Sequence, residues 1–358
     1  MEVDLIIYNL STMKSFKTIA LDITEEQYRK DGALHYSTLA AFSRKGFEGL
    51  NTLFDKKDSP SLTFGSAVDS LITGGEEEFN SKFIVANYKA LESSYINIIT
   101  ALYNLYKDSY AQITLIPDKN IIQMTEQLSF YKHWKPETRV KAIKEKGQEY
   151  YNLLNSSSNK TILNNEQYTK IIKTVAVLKE SVATYYYFAD NPFDDSTERL
   201  YQLKFRAIFD NLAYSCMADL LIVDHITKTV YPCDLKTSSH KEYDFYKSFI
   251  GYNYDIQARL YWRIIKATMD KDPIFKDYKL NDYTFIVING DNLKPLTWHY
   301  SDTQTQGTLY YGKSQQIECR DPFDLGKELN FYLTTRPAMP TGIQSRETNS
   351  LTQWLNTL

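Results

Sequence analysis

Residues 216–223 read Cys-Met-Ala-Asp-Leu-Leu-Ile-Val, an apolar run broken by one carboxylate, Asp219. A run apolar at nearly every position predicts a strand buried on both faces. An ionised Asp in such a strand is costly unless it is paired or bound to a cation. After a short polar turn, a second strand over 229–237 carries Asp234 and Lys236. Two apart in a strand, these side chains project from one face. A hairpin brings Asp219 close to that face. Two carboxylates and an ammonium at the end of a buried sheet make a hard-cation site with a proton-handling neighbour. The competing reading is an ordinary surface ion pair on an edge strand. Pro232 favours it, because proline cannot donate to a strand ladder.

The flanking sequence predicts mixed architecture. A helix starts at Ser37 as N-cap, with Leu39 and Phe42 on one face. Another spans 63–73, where Phe64, Ala67, Val68, Leu71 and Ile72 form one apolar stripe ended by Gly74-Gly75. Arg139, Lys141, Lys144 and Lys146 make a basic helical stretch that either contacts phosphates or forms a solvated face, the second being favoured. A loop at 156–159 precedes a helix over 165–188, closed by Asn191-Pro192. Strands over 201–209, 215–223 and 229–237 are joined by turns at Asp210-Asn211 and 224–228. A helix over 254–268 and a strand over 284–288 follow. This order predicts an α/β core, bordering on α+β, with a helical N-terminal elaboration. The expected organisation is a mainly helical part over 1–190, a core over 191–330 and a loose tail over 331–358, integrated in one domain.

Composition narrows the chemistry. Forty-one Lys+Arg against 44 Asp+Glu give a formal charge of −3, which excludes a uniformly basic nucleic-acid coat but not a local basic groove. Cys216, Cys233 and Cys319 form no CxxC, so neither a disulfide framework nor a four-cysteine zinc or iron–sulfur site is expected. The chain begins without a basic leader and has no apolar run near the ~18 residues of a membrane span, so a soluble cytoplasmic protein is expected. His35, His133, His225, His240 and His299 follow no metalloprotease or zinc-finger spacing. Walker A, GxGxxG and GxSxG patterns are absent, leaving an NTPase, dinucleotide enzyme or α/β-hydrolase without support.

Asp219, a spacer of 14 residues, then Asp234-Leu235-Lys236 resembles the PD-(D/E)XK nuclease signature, and Thr237 follows the lysine as the family often shows. Downstream, Phe245, Tyr252, Tyr254 and the run from Asp255 through Gln257 to Tyr261 resemble the Q-x-x-x-Y motif of the RecB-like branch. Upstream, Tyr36-Ser37-Thr38-Leu39 and Phe64-Gly65-Ser66-Ala67-Val68-Asp69 resemble that branch's S-x-S-x-L start and G-x-x-x-H helix. The nearest resemblance is to exonucleases of the RecE type, related to lambda exonuclease, and its motifs span residues 36–261.

The resemblance implies a restriction-endonuclease-like central mixed β-sheet flanked by helices, with the 63–73 helix contributing to the site. It implies that Asp219, Asp234, Asp69 and the Leu235 carbonyl hold Mg²⁺, or Mn²⁺, with no iron–sulfur cluster. Lys236 would act on the attacking water, and Gln257 and Tyr261, i and i+4 on one helical face, would position the strand. The implied substrate is double-stranded DNA degraded from an end, in bacterial or phage recombination and repair. A single-strand annealing protein and a ring-shaped homo-oligomer are the implied partners, with no membrane. Two departures matter. Ala218 stands where the family often has proline, and Asp69 stands where the branch usually has histidine. A carboxylate is a harder ligand than imidazole and can still hold Mg²⁺. If Asp69 faces away, two carboxylates are left, and a catalytically inactive or endonucleolytic DNA-binding module becomes the alternative. Glu198 is a further carboxylate with no assigned role.

Overall fold

The computed structural model describes residues 14–54, 59–88, 91–157, 160–189, 196–301, 307–311 and 315–335. The first elements in chain order are α1 (Glu25–Arg29), α2 (Tyr36–Lys45), α3 (Pro60–Thr73), α4 (Gly75–Lys82), β1 (Phe83–Ala86), α5 (Ser93–Tyr106), α6 (Asp118–Gln127) and α7 (Pro136–Ser156). Then come β2 (Thr161–Asn164), α8 (Asn165–Glu180), α9 (Tyr185–Phe188), β3 (Thr197–Phe209), β4 (Leu212–Asp224), β5 (Thr229–Ser238), α10 (Phe245–Gly251) and α11 (Tyr254–Met269). The last are β6 (Lys279–Leu280), β7 (Tyr283–Asn289), β8 (Pro295–Tyr300), β9 (Gly307–Tyr311), β10 (Gln315–Cys319) and α12 (Pro322–Thr335). They fall into two compact units, one of residues 1–57 and 176–358 and one of residues 58–175.

The first unit is built on a mixed sheet in the order β3-β4-β5-β7-β8, with β6 beside β5. β3, β4 and β5 form an antiparallel meander. Its first turn, Asp210-Asn211, has both residues at positive φ, the conformation of a two-residue hairpin whose twist matches its strands. β5 and β7 are parallel, so the chain must cross over between them, and α10 and α11 make that crossover. A central mixed sheet flanked by helices is therefore present, as expected.

α11 is buried on almost every side. Its Ile256, Leu260, Ile264 and Ile265 share one core with Leu221 and Val223 of β4 and Phe285 of β7. Phe16, Leu34, Leu39 and Phe42 belong to that core too. Residues 14–54 thus pack with the sheet rather than with the helices that follow them. The division differs from one drawn at residue 190, because burial rather than helix content decides which segments cohere. At the other end, α12 runs to Thr335, into the segment expected to be a loose tail, and residues 336–358 lie outside the described part.

Some local expectations shift. α2 begins at Tyr36, with His35 rather than Ser37 at the N-cap. The helix expected over 165–188 breaks after Glu180, where Thr184 Oγ1 donates to the Leu178 carbonyl at 2.7 Å. Pro232 does not mark an edge, since β5 lies between β4 and β7. On that side β5 pairs with β6 at residues 229–230 and with β7 from Cys233 onward. Pro232 falls in the gap between the two partners, where a missing N–H costs no ladder bond.

The second unit holds α3 to α7, most of α8, and the two-stranded parallel sheet of β1 and β2. Its core joins Ile98, Ile99 and Leu102 of α5 to Ile143 and Tyr151 of α7. The basic stretch is spent on this unit's own packing. Arg139 is buried, Lys144 pairs with Asp118 at 2.7 Å, and Lys146 lies 4.8 Å from the centre of the Tyr95 ring. Lys141 remains exposed, 3.8 Å from Glu145. No helix among the described residues is long and apolar enough to cross a membrane.

Candidate active site

The β4–β5 ladder runs from Asp224–Thr229 to Leu220–Cys233 and stops there. The next rung of the same register would set Asp219 opposite Asp234. Directly opposed residues share a face, so both carboxylates stand at the point where the two strands part. Asp219 Oδ2 accepts the Leu235 N–H at 3.0 Å, across the place of the missing rung. On its other side, Asp219 faces Gln202 of β3, and that pair is also skipped while the register continues around it. Gln202 has a left-handed φ of 53°. For a residue with a side chain this costs about 1–2 kcal/mol, so the sheet carries strain beside Asp219.

Beyond the split, β4 takes a different neighbour. Leu34 N donates to the Ala213 carbonyl at 2.8 Å, and Ser215 N donates to the Leu34 carbonyl at 3.1 Å. This segment is anchored by Asp31, which accepts from Ser215 Oγ at 2.5 Å and lies 3.4 Å from His35 Nε2. Burial works to raise the Asp31 carboxyl, but the bonds from His35 and Ser215 outweigh it and hold the group below its ordinary range. His35 Nδ1 is 3.0 Å from the Tyr28 hydroxyl.

Asp234 is only 1% exposed. Gln257 of α11 donates from Nε2 to Asp234 Oδ1 at 2.5 Å. Lys236 forms an ion pair with Asp234 Oδ2. Apart from that ion pair Oδ2 has no partner, and Gln257 Oε1 and the Tyr283 hydroxyl, also buried, have none. The Lys236 ammonium lies 4.7 Å from the centre of the Tyr254 ring and 5.9 Å from that of Phe285, a cation–π arrangement in a largely desolvated setting. Burial pulls against its charge, but Asp234 and Asp219 outweigh burial and hold the proton more firmly than on a free lysine.

The structure thus brings Asp219, Asp234, Leu235, Lys236 and Gln257 together. Gln257 contacts Asp234 directly, which gives it the work of orienting a carboxylate. Tyr261 is buried one turn further along α11, its ring edge-on to Tyr283 at 6.2 Å. Burial drives both hydroxyls well above the usual tyrosine range, reinforced at Tyr261 by Tyr28 and Asp234 and at Tyr283 by Asp234 and Tyr261. Tyr28, Tyr36, Phe285 and Tyr283 complete the surroundings, and sequence reasoning gave none of them a role. The one available signal was Tyr36, which begins a motif; its hydroxyl donates to the Tyr252 carbonyl at 2.7 Å, beside Arg44.

Asp69 is half-buried on α3, in the second unit. Glu198 is fully engaged elsewhere, accepting from Phe16 N at 3.0 Å and from Ser15 Oγ and lying 2.6 Å from His225 Nε2. Among the described residues, no group of three or more His, Cys, Asp and Glu side chains is arranged to hold a metal ion. Asp219 and Asp234 are therefore two hard oxygen ligands without a third. Their chemistry nevertheless suits a divalent cation, because Asp234 Oδ2 and Gln257 Oε1 are buried acceptors with unused capacity.

No protein-family model matches the chain, and no curated protein does. Among solved structures, a protein provisionally named an exonuclease, from Eubacterium rectale, aligns over 79% of each chain at 12% identity, with a TM-score of 0.38. A likeness of that size does not establish a shared fold.

Proposed function

We propose that this protein is a metal-dependent deoxyribonuclease of the PD-(D/E)XK kind, hydrolysing duplex DNA from an end. One observation carries the reading: Asp219, Asp234 and Lys236 meet where β4 and β5 part, and a buried Asp234 oxygen keeps unused bonding capacity. In this reading Asp219, Asp234 and the Leu235 carbonyl would hold Mg²⁺ or Mn²⁺. When bound, the ion polarises the scissile phosphate and lowers the pKa of water. Gln257 fixes the Asp234 carboxylate through Oδ1, and Oδ2, which Lys236 also meets, would take the ion. Lys236 enters as an ammonium, offsets charge gathering on the phosphoryl oxygens and orients the attacking water. Tyr261 and Tyr283 wall off the inner side and exclude solvent. By the same resemblance, the products are single strands suited to an annealing partner.

A second reading has its own support. The lack of a third carboxylate among the described residues, with Asp234 already paired to Lys236, fits an inactive DNA-binding module. Digestion of linear and closed circular duplex DNA with Mg²⁺, Mn²⁺ or EDTA separates the readings. Metal-dependent loss of the linear form alone, abolished by Lys236→Ala, is the expected result. Cutting of circles moves the assignment to an endonuclease. Binding without cutting under any metal selects the inactive module, and full activity of Lys236→Ala removes the nuclease assignment from this site.

A further inference from the structure

The second unit holds a pocket of about 670 Å³ whose walls include Ser93, Ser94, Asn97, Tyr131, Lys132 and His133. That volume falls in the range that accepts a small organic ligand. None of its lining residues is a carboxylate, while Lys132 and His133 are exposed at its rim. Its polar wall is the start of α5, whose N-cap, Glu92, makes no capping bond, so the first amide N–H groups of that helix are not claimed by a side-chain cap.

The aromatic wall is more particular. Tyr131 stacks on Trp134, with ring centres 4.5 Å apart and planes 13° from parallel. Phe130 and His133 meet Tyr131 edge-on at 4.7 Å and 5.9 Å. The Tyr131 hydroxyl donates to Glu92, which pins the ring by its far end. Ser129 and Tyr131 are both left-handed, with φ of 56° and 38°. For a bulky aromatic this conformation is a true outlier, kept only when surrounding contacts over-determine it. A hydrophobic loop in search of burial would relax. This one holds a tyrosine at the wall of a pocket rimmed by Lys132.

We propose that the pocket binds a nucleotide unit of single-stranded DNA, its base on Tyr131 and its phosphate on Lys132 and the first turn of α5. Aromatic stacking with flanking cations is how single strands are held without regard to sequence. A helix start with free N–H groups suits a phosphate. A cationic partner would find no acidic side chain among the lining residues, and a purely apolar one would leave Lys132 unmatched. The proposal rests on the reading of this protein as one that handles DNA, and it assigns single-strand holding to the second unit.

The test uses the full chain in EDTA and a fluorescein-labelled fifteen-nucleotide oligo(dT), read by anisotropy at several salt concentrations. Stacking is worth about 1–3 kcal/mol per base, so Tyr131→Leu should weaken binding roughly 5- to 150-fold. Lys132→Glu should weaken it and lower the salt dependence by about one phosphate contact. Lys132 is exposed, so that variant keeps the test decisive if Tyr131→Leu does not fold. No binding by wild type, or binding unchanged in both variants, overturns the proposal. Wild-type cleavage of duplex DNA alongside unchanged binding sinks the pocket and leaves the nuclease reading standing. Binding lost in both variants of a protein that cleaves nothing does the reverse.

Discussion

Two carboxylates in the sheet unit, Glu198 and Asp234, are both drawn in from solvent but are treated in opposite ways. Glu198, with 19% of its side chain exposed, is met by Ser15, the Phe16 amide and His225. Asp234, with 2% exposed, takes one hydrogen bond from Gln257 at Oδ1 and an ion pair from Lys236 at Oδ2, and nothing else. The deeper group is the less satisfied one. A carboxylate offers about four acceptor positions, and leaving a buried one unmet costs about 1–3 kcal/mol or more. Glu198 therefore behaves as a pin between the N-terminal residues and β3, while Asp234 behaves as a group kept open for something else. Burial alone does not tell a structural acid from a functional one; the bonding capacity left over does.

The comparison breaks most sharply at Asp234. Asp234→Asn keeps the Gln257 contact and the side-chain volume, and should lower metal-dependent cleavage by about 10³-fold or more in an end-labelled duplex assay. Asp234→Ala is a poorer probe, because it also removes the acceptor of Gln257 and leaves a cavity beside Lys236, costing more stability than the Asn variant. Glu198→Ala should do the opposite. Thermal unfolding should show a loss of about 2–3 kcal/mol, since His225, Ser15 and the Phe16 amide lose their acceptor, while cleavage at a temperature where the variant is folded stays at the wild-type level. If Glu198→Ala abolishes cleavage while folded, the two acids are not of different kinds.

Smaller effects sharpen the same contrast. Tyr283→Phe removes a buried hydroxyl without a partner and should raise stability by about 1 kcal/mol in a denaturant titration. A loss of stability would mean that the hydroxyl is satisfied and the site less open than it looks. At the far end of the β3–β4 hairpin, Asn211→Gly relieves a left-handed residue away from both acids. It should stabilise by about 0.5–1 kcal/mol and leave cleavage unchanged.

Much of this was legible along the chain. The three meander strands, the Asp210-Asn211 turn and the α11 helix follow from apolar period and turn chemistry, both set by near neighbours. Placing Asp234 and Lys236 on one face needs only the two-residue period of a strand. The spacing from Asp219 to Asp234 pointed to a hairpin pair. It did not show that the ladder ends one rung short of them, because that depends on where β4 exchanges β5 for the segment around Leu34. Leu34 lies about 180 residues upstream of Tyr214, its partner. The strands β8, β9 and β10 were not foreseen, since short elements carry too little period to stand out; the helix α12, 14 residues long, was missed as well. The basic stretch over 139–146 reads the same in sequence whether its charges face DNA or its own helices.

Near neighbours along the chain set the local grammar: which segments are strand or helix, and which polar residues stand in apolar surroundings. Tertiary structure alone decided that residues 14–54 belong with the sheet, that Gln257 serves Asp234, that Glu198 is fully engaged and that Asp234 is not. The physical reason is one of range. Secondary structure follows from steric and hydrogen-bonding preferences within a few residues. Satisfaction of a buried charge depends on donors that the fold brings from far away, and no window along the chain contains them.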